Sequence, residues 1–408
     1  MLTSIAKQIG NNRHRITVFM KNFNICILIL LFTMPCLAQR VTFNKGGIST
    51  KNYYEEIPYE FINGRIYLSP EVNGTKRRFL FDTGAPTQIT AELFKELKPE
   101  VINKTEITDA AGNKTSLDIV SLKEFKLQGL VFNDIPALVT SSDLYKCLQI
   151  DGVIGSNVLR NSIVQIIPTT HILILTNDDL RLTLNQKNRS ALIAGEPQSY
   201  PFFTVQLSGR KTLKVGFDTG TYNFLRFSDK DAVKLERSSV FEKLSSGYGA
   251  SHRSLLGLQA PDSLSRLKML SFNIDGCAFD NVIAETGKSN NSRIGTKLLD
   301  HGTVTLDYIH HLFYFDPVKT NNDMQESLWP IKPVIDQNKL VVGVVWGSVK
   351  DQLKVGDQIL AINGESCEMI DLCKWVNGTS EEIMRGKTAI LKIKDDQGNL
   401  KEIHVRRE

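Results

Sequence analysis

The chain has 408 residues, 41% hydrophobic and 23% charged, enough for two or three domains and too apolar for a disordered chain. Its formal net charge is +5, but no basic block with interleaved aromatics occurs, so nucleic acid is not an expected partner. No C-x-x-C pair, H-E-x-x-H, G-x-S-x-G or phosphate-cradling loop is present, so no metal and no cofactor is expected.

The first segment is a targeting sequence by pattern. Lys7, Arg13, Arg15 and Lys21 precede the apolar run ICILILLF (Ile25 to Phe32), TMPCLAQ follows, and no acidic residue occurs before Glu55. A basic start, a short apolar core and a small exit residue describe a secretory signal over residues 1–38. Met20 offers a shorter start for the same signal. The run is shorter than the roughly 20 residues that cross a bilayer, so no stable membrane span is expected. Pro35 before Cys36 argues against a lipid anchor. Export across the inner membrane, to the periplasm or beyond, is the expectation. Removal of the segment takes four of the five net positive charges and leaves about +1. Residues 39–59 read as an N-terminal extension, and whether it is a removable pro-segment is left open.

Next comes RIYLSPEVNGTKRRFLFD, a hairpin pattern turning at Asn73-Gly74 and running into Asp82-Thr83-Gly84. A carboxylate at the end of an apolar strand is costly unless something shares its site. TDAAGNKTS (Thr108 to Ser116) follows as a turn-rich hairpin tip. Then come FKLQGLVFNDI (Phe125 to Ile135), GVIGSNVLRNSIVQI (Gly152 to Ile166) and HILIL (His171 to Leu175), mostly strands with a short helix after Ile154-Gly155.

A polar connector over residues 179–199 leads to the same words again. FFTVQLSGRKTLKVGFD turns at Ser208-Gly209 and delivers Asp218-Thr219-Gly220. FNIDGCAFDNV, SRIGTKLLDHGTVTL and HLFYF then repeat the later phrases in the same order. Ile154-Gly155 aligns with Ile294-Gly295, Val164 with Val304 and Ile166 with Leu306. Two related β-rich units, residues 60–178 and 200–317, are therefore expected, each supplying one D-T-G. The partner of Asp82 is expected to be Asp218. In the second unit SSGYGASHRS and an insertion around GLQAPDSLSRLKML occupy the place of the first unit's hairpin tip. Tyr248 is read there either as lining the cleft or as an exposed loop residue, and Arg293 as part of a surface ion pair. His310-His311 is expected as a surface pair at a strand start.

From about Leu328 the pattern changes to short strands with turns at Asn363-Gly364 and Gln397-Gly398. Cys147, Cys277, Cys367 and Cys373 are too few and scattered for a disulfide framework and read as buried apolar residues. A Cys367–Cys373 bridge stays open in an oxidising compartment.

The paired hydrophobic-Asp-Thr-Gly, hairpin and Ile-Gly phrases resemble the pepsin and retropepsin class of aspartic proteases. The chain is most similar to the bacterial retropepsin-like aspartyl proteases that carry a C-terminal PDZ domain. The resemblance implies a mainly β fold: a bilobed, aspartic-protease-type pair of β-barrels followed by a small PDZ-like domain at residues 328–408. It implies a monomeric endopeptidase, both halves lying in one chain, that hydrolyses peptide or protein substrate with a water held between Asp82 and Asp218. Two carboxylates within hydrogen-bond reach cannot both ionise cheaply, so they share a proton and offer an acid and a base together. Thr83 and Thr219 take the place of the family's interlocking threonines, and Gly84 and Gly220 permit the sharp turn behind each acid. Thr221, where the first unit has Ala85, is expected to donate to Asp218 and leave the proton mostly on Asp82. Asp109, Ala110, Ala111 and Gly112 are the expected flap tip. LKVGDQILAINGES (Leu353 to Ser366) resembles the central part of bacterial PDZ domains, which implies a peptide added as a strand and held by its C-terminus. Leu340, Val341, Val342 and Gly343 are the groove residues this suggests. A catalytically idle peptide-binding protein, using cleft and tail to hold peptides, is the alternative.

Overall fold

The structure, a computed structural model, describes residues 42–379 and 383–408; the expected signal segment lies outside them. The described chain is mainly β, with three large sheets and a two-stranded ribbon. Apolar runs account for this: strands such as Arg65–Leu68 and Phe79–Asp82 bury successive aliphatic and aromatic side chains, as strands covered on both faces do. At Asn73-Gly74 both residues adopt positive φ, the backbone that a tight two-residue hairpin demands. At Ser208–Arg210 the loop is one residue longer, with Gly209 and Arg210 carrying the positive φ.

The first repeat builds an 11-stranded sheet in which Phe79–Asp82 lies between Arg65–Leu68 and Gly152–Gly155. Gly152–Gly155 runs parallel to it, placing Gly155 opposite Asp82. The second repeat copies the arrangement: Arg293–Gly295 runs parallel to Lys211–Asp218, with Gly295 opposite Asp218.

A six-stranded sheet draws on both repeats. Its central strands, Ile163–Ile167 and Gly302–Asp307, pair antiparallel with Val164 opposite Leu306 and Ile166 opposite Val304. Because Val164 corresponds to Val304 and Ile166 to Leu306 in the repeat, this register exchanges equivalent residues, as a two-fold axis does. The axis passes through the opposed pair Gln165 and Thr305, whose side chains are hydrogen-bonded at 3.0 Å. One apolar core runs through both repeats, from Phe81 and Ile166 to Phe217 and Leu306, with Phe203 stacked on Phe313 at 3.8 Å. The stretch read as an extension is part of this body. Tyr54–Pro58 pairs with Ile172–Thr176 at the sheet's edge, and Phe43, Tyr53 and Ile57 are buried.

The tail forms its own core around Leu340, Val342, Leu391 and Ile393. Its strand Lys339–Trp346 pairs on one edge with Ile331–Asp336. The other edge meets Gln358 and then Gly247–Gly249 of the second repeat, joining the tail to a 17-stranded sheet. Leu340 and Val342 are buried and both edges of their strand are occupied, so Leu340, Val341, Val342 and Gly343 do not form an open groove. The edge expected to be open is taken at Val341 and Val342 by Gly356, Asp357 and Gln358 of the tail itself, and beyond them, at residues 344–346, by Gly247–Gly249 of the second repeat.

The cysteine reading is corrected as well. Cys147, in the helix Asp143–Leu148, is disulfide-bonded to Cys373, in the helix Leu372–Lys374, across 226 residues of chain, with Cα atoms 4.5 Å apart. Cys277 and Cys367 are free and buried. Beside the bridge, Asn377 Nδ2 donates to the Cys147 carbonyl at 3.0 Å and Arg65 Nη1 to the Val376 carbonyl at 3.1 Å. The tail thus holds the first repeat by a covalent bond and the second by strand pairing. Replacing Cys147 and Cys373 by Ser is expected to cost about 2–5 kcal/mol. Urea unfolding with and without a dithiol reductant checks this: only the parent protein should respond to the reductant.

Candidate active site

Each D-T-G turns immediately after its strand, and the two turns are locked by reciprocal threonines. Thr83 N donates to Thr219 Oγ1 at 3.0 Å, and Thr219 N donates to Thr83 Oγ1 at 3.1 Å. The hydroxyls pass the contact on, Thr83 Oγ1 to the Phe217 carbonyl at 2.6 Å and Thr219 Oγ1 to the Phe81 carbonyl at 2.8 Å. Both threonines are fully buried, so these bonds satisfy groups that have no access to water.

The lock brings Asp82 and Asp218 face to face. Gly84 N donates to Asp82 Oδ1 at 2.8 Å and Gly220 N to Asp218 Oδ1 at 3.0 Å. A Cβ on Gly84 would lie 2.6 Å from the Asp218 carboxylate, and one on Gly220 would lie 2.4 Å from that of Asp82. Glycine is therefore required on both turns by close approach. Ser156, after Ile154-Gly155, reaches the Gln198 carbonyl at 2.8 Å, while Thr296, after Ile294-Gly295, reaches the Gly64 carbonyl at 2.5 Å. The two-fold relation extends to the support of the site.

Burial, then the charge of Asp218, pushes the Asp82 carboxyl up to about 7; the Gly84 amide and Arg293 act the other way. Each carboxylate lies against the glycine of the other turn, which brings the two acids near enough for the charge of Asp218 to raise Asp82. Arg293 is not at the surface. Its Nε lies 3.5 Å from Asp218 Oδ2, and the two side chains are only 13% and 14% exposed. Thr221 serves elsewhere: its hydroxyl accepts from Asn223 Nδ2 at 3.0 Å. Arg293 is the functional residue the sequence reading misplaced. Its position just before Ile294-Gly295, on the strand paired with that of Asp218, was the available signal.

Asp109 to Gly112 cap the hairpin of Glu100–Thr108 and Lys114–Leu127. The tip rests on the second repeat. Asp109 Oδ1 accepts from Ala111 N and Asn113 N, and its Oδ2 accepts from Leu256 N at 2.9 Å. His252 Nε2 meets the Ala110 carbonyl at 2.9 Å. Burial and the nearby Arg226 hold His252 down at about 3, so it is a neutral donor there. Ser142 Oγ donates to the Leu255 carbonyl at 2.8 Å, and the Leu255 side chain packs on the cluster of Tyr67, Leu80, Tyr145 and Val153 beside Ala85. Tyr248 is 55% exposed on its strand. His310 is bonded through Nδ1 to Asp307 Oδ2 at 2.8 Å and stands away from the aspartates. Among the described residues no cluster of metal-ligating side chains occurs.

Thr83→Val leaves the Thr219 amide buried without an acceptor and is expected to cost about 1–3 kcal/mol in denaturant unfolding. The two hydroxyls carry four separate bonds, so the Thr83→Val/Thr219→Val double variant is expected to lose about the sum of the two single costs. The Asp82 carboxyl, raised from 3.8 to about 7, contributes stability that is complete below about pH 4 and is lost as pH rises through 7. Asp82→Asn removes that contribution to the pH dependence. Thermal unfolding should show the variant gaining on the parent as the pH is raised from 4 to 8.

A family model described as aspartyl protease matches residues 68–158, a stretch that carries Asp82, the Asp109–Gly112 tip and Ile154-Gly155. Among solved structures, a retropepsin-like aspartic protease from Rickettsia conorii is similar at 24% identity over 31% of this chain and 93% of that chain, with a TM-score of 0.25. A comparison with curated proteins finds no match. The family match supports a protease of the aspartyl class.

Proposed function

We propose that the protein is an aspartic endopeptidase whose catalytic pair is Asp82 and Asp218. The observation that carries this reading is two part-buried carboxyls, one of them raised to about 7, each set against the other's turn where the two turns are locked together. A water between them loses a proton to Asp218 as it attacks the peptide carbonyl, and Asp82 gives its proton to the carbonyl oxygen. On collapse of the gem-diol, a diol hydroxyl returns a proton to Asp82. The proton on Asp218 passes to the amine nitrogen, and the C–N bond breaks. No covalent intermediate is needed, and each carboxyl ends in its starting state.

Substrate binds extended beneath the Asp109–Gly112 tip, which separates from Ser251–Gln259 to admit it and closes again to exclude water. The two repeats act as lobes around a shared cleft. The tail is a PDZ-like module serving as a rigid attachment between them. The long-range disulfide supports an oxidising compartment, in line with export by the N-terminal segment.

A peptide-library digest read by mass spectrometry over a range of pH tests the activity. Cleavage is expected, blocked by pepstatin and reduced by about 10²–10⁴-fold or more in Asp82→Asn and in Asp218→Asn. Peptides that bind the parent protein but are never cut would overturn the proposal in favour of an idle binding protein.

A further inference from the structure

We infer that Arg293 is the positioning residue that assigns the dyad's single proton: its guanidinium, held against Asp218, keeps that carboxylate as the base and leaves Asp82 as the acid. The inference rests on reading the two aspartates as a catalytic pair, and it adds what breaks their symmetry. The two D-T-G turns are matched bond for bond, so the turns themselves do not choose between the acids.

The choice comes from one strand position. In the first repeat Val153 pairs with Leu80, two residues before Asp82; in the second, Arg293 pairs with Gly216, two residues before Asp218. An apolar pair on one side of the site is thus matched by a cation and a glycine on the other. The ring of Tyr200 fills the space that a side chain on Gly216 would take. Among the described residues, no other ion pair is made to either aspartate.

The remaining groups around the pair do not supply this charge. Arg226, opposite Arg293 in the neighbouring strand, gives its Nη2 to Ser251 Oγ at 2.7 Å and faces Glu285 at 3.9 Å. Glu285 is also met by Arg266 at 3.2 Å and Lys332 at 3.8 Å. His252 is neutral. Tyr145 and Tyr200, whose hydroxyls feel the aspartates' charge, and Tyr308 are all pushed up by burial and stay protonated. With a cation fixed beside the pair, both of its protonation steps fall at lower pH than they would without it.

The test compares pH profiles of kcat/KM for the parent, Arg293→Gln and Arg293→Lys on one peptide found in the library digest. Arg293→Gln should move both limbs upward by about one pH unit or more, while Arg293→Lys restores them most of the way. A uniform loss of rate with both limbs fixed would overturn the proposal, since that is what a merely structural arginine gives. Arg293→Val, which places the first repeat's residue in the same strand position, repeats the measurement if the glutamine variant does not fold. The same shift is readable without turnover, from the pH at which parent and Asp82→Asn diverge in thermal stability, measured with and without Arg293→Gln. If nothing is cleaved but this midpoint moves up, the catalytic reading fails and the charge assignment stands. A midpoint that stays put defeats the charge assignment whatever the activity.

Discussion

Two acidic side chains buried against one another hold only if something forces them together and something else removes part of their charge. That constraint organises the molecule. The force comes from two threonines whose amides and hydroxyls are exchanged across the axis, so neither turn is fully hydrogen-bonded alone. The relief comes from the raised Asp82 carboxyl, which holds its proton to higher pH, and from a guanidinium against Asp218. Behind both stands the antiparallel pair Ile163–Ile167 and Gly302–Asp307, which fixes the axis about which the turns are matched.

The symmetry is broken where chemistry needs a direction. Around Asp82 the wall is apolar, with Tyr67, Leu80 and Val153 packed on Leu255 from the other repeat. Around Asp218 the corresponding wall carries Arg293 and the ring of Tyr200, which fills the place of a side chain at Gly216. The hairpin tips are unequal too. The Asp109 carboxylate organises its own turn and then receives Leu256 N, while the second repeat answers with a longer, inserted ribbon, Arg253–Ser254 with Gly257–Leu258. A duplicated fold has thus kept its scaffold matched and let the surfaces facing the site diverge.

What the sequence made legible follows from the same division. The mainly β class and the return of equivalent strands lay in local patterns, since each apolar strand and tight turn is written in a few adjacent residues. The paired D-T-G turns were visible because two copies at corresponding places constrain each other. Contacts between distant residues that repeat nothing were not visible. Cys147 and Cys373 are 226 residues apart with no spacing rule to join them. Arg293 read as a surface charge although it directly precedes Ile294-Gly295, because the pairing of that strand with the one ending in Asp218 shows only in the fold. The tail strand read as a free edge because the loop residues Gly356 and Asp357 that bond Val342, and the distant strand that covers residues 344–346, leave no mark in its own pattern.

The attachment of the tail bears on how the molecule can move. The two repeats already share a six-stranded sheet and one apolar core, and the tail adds a further tie between them. Here the tail is clamped to one half by a sulfur–sulfur bond and to the other through Gly247–Gly249, immediately before the ribbon that meets the opposite tip. Mechanically that is a closed linkage: a third rigid bar removes degrees of freedom from the first two. Any relative motion of the two repeats must carry the tail with it, because the tail is fastened to both.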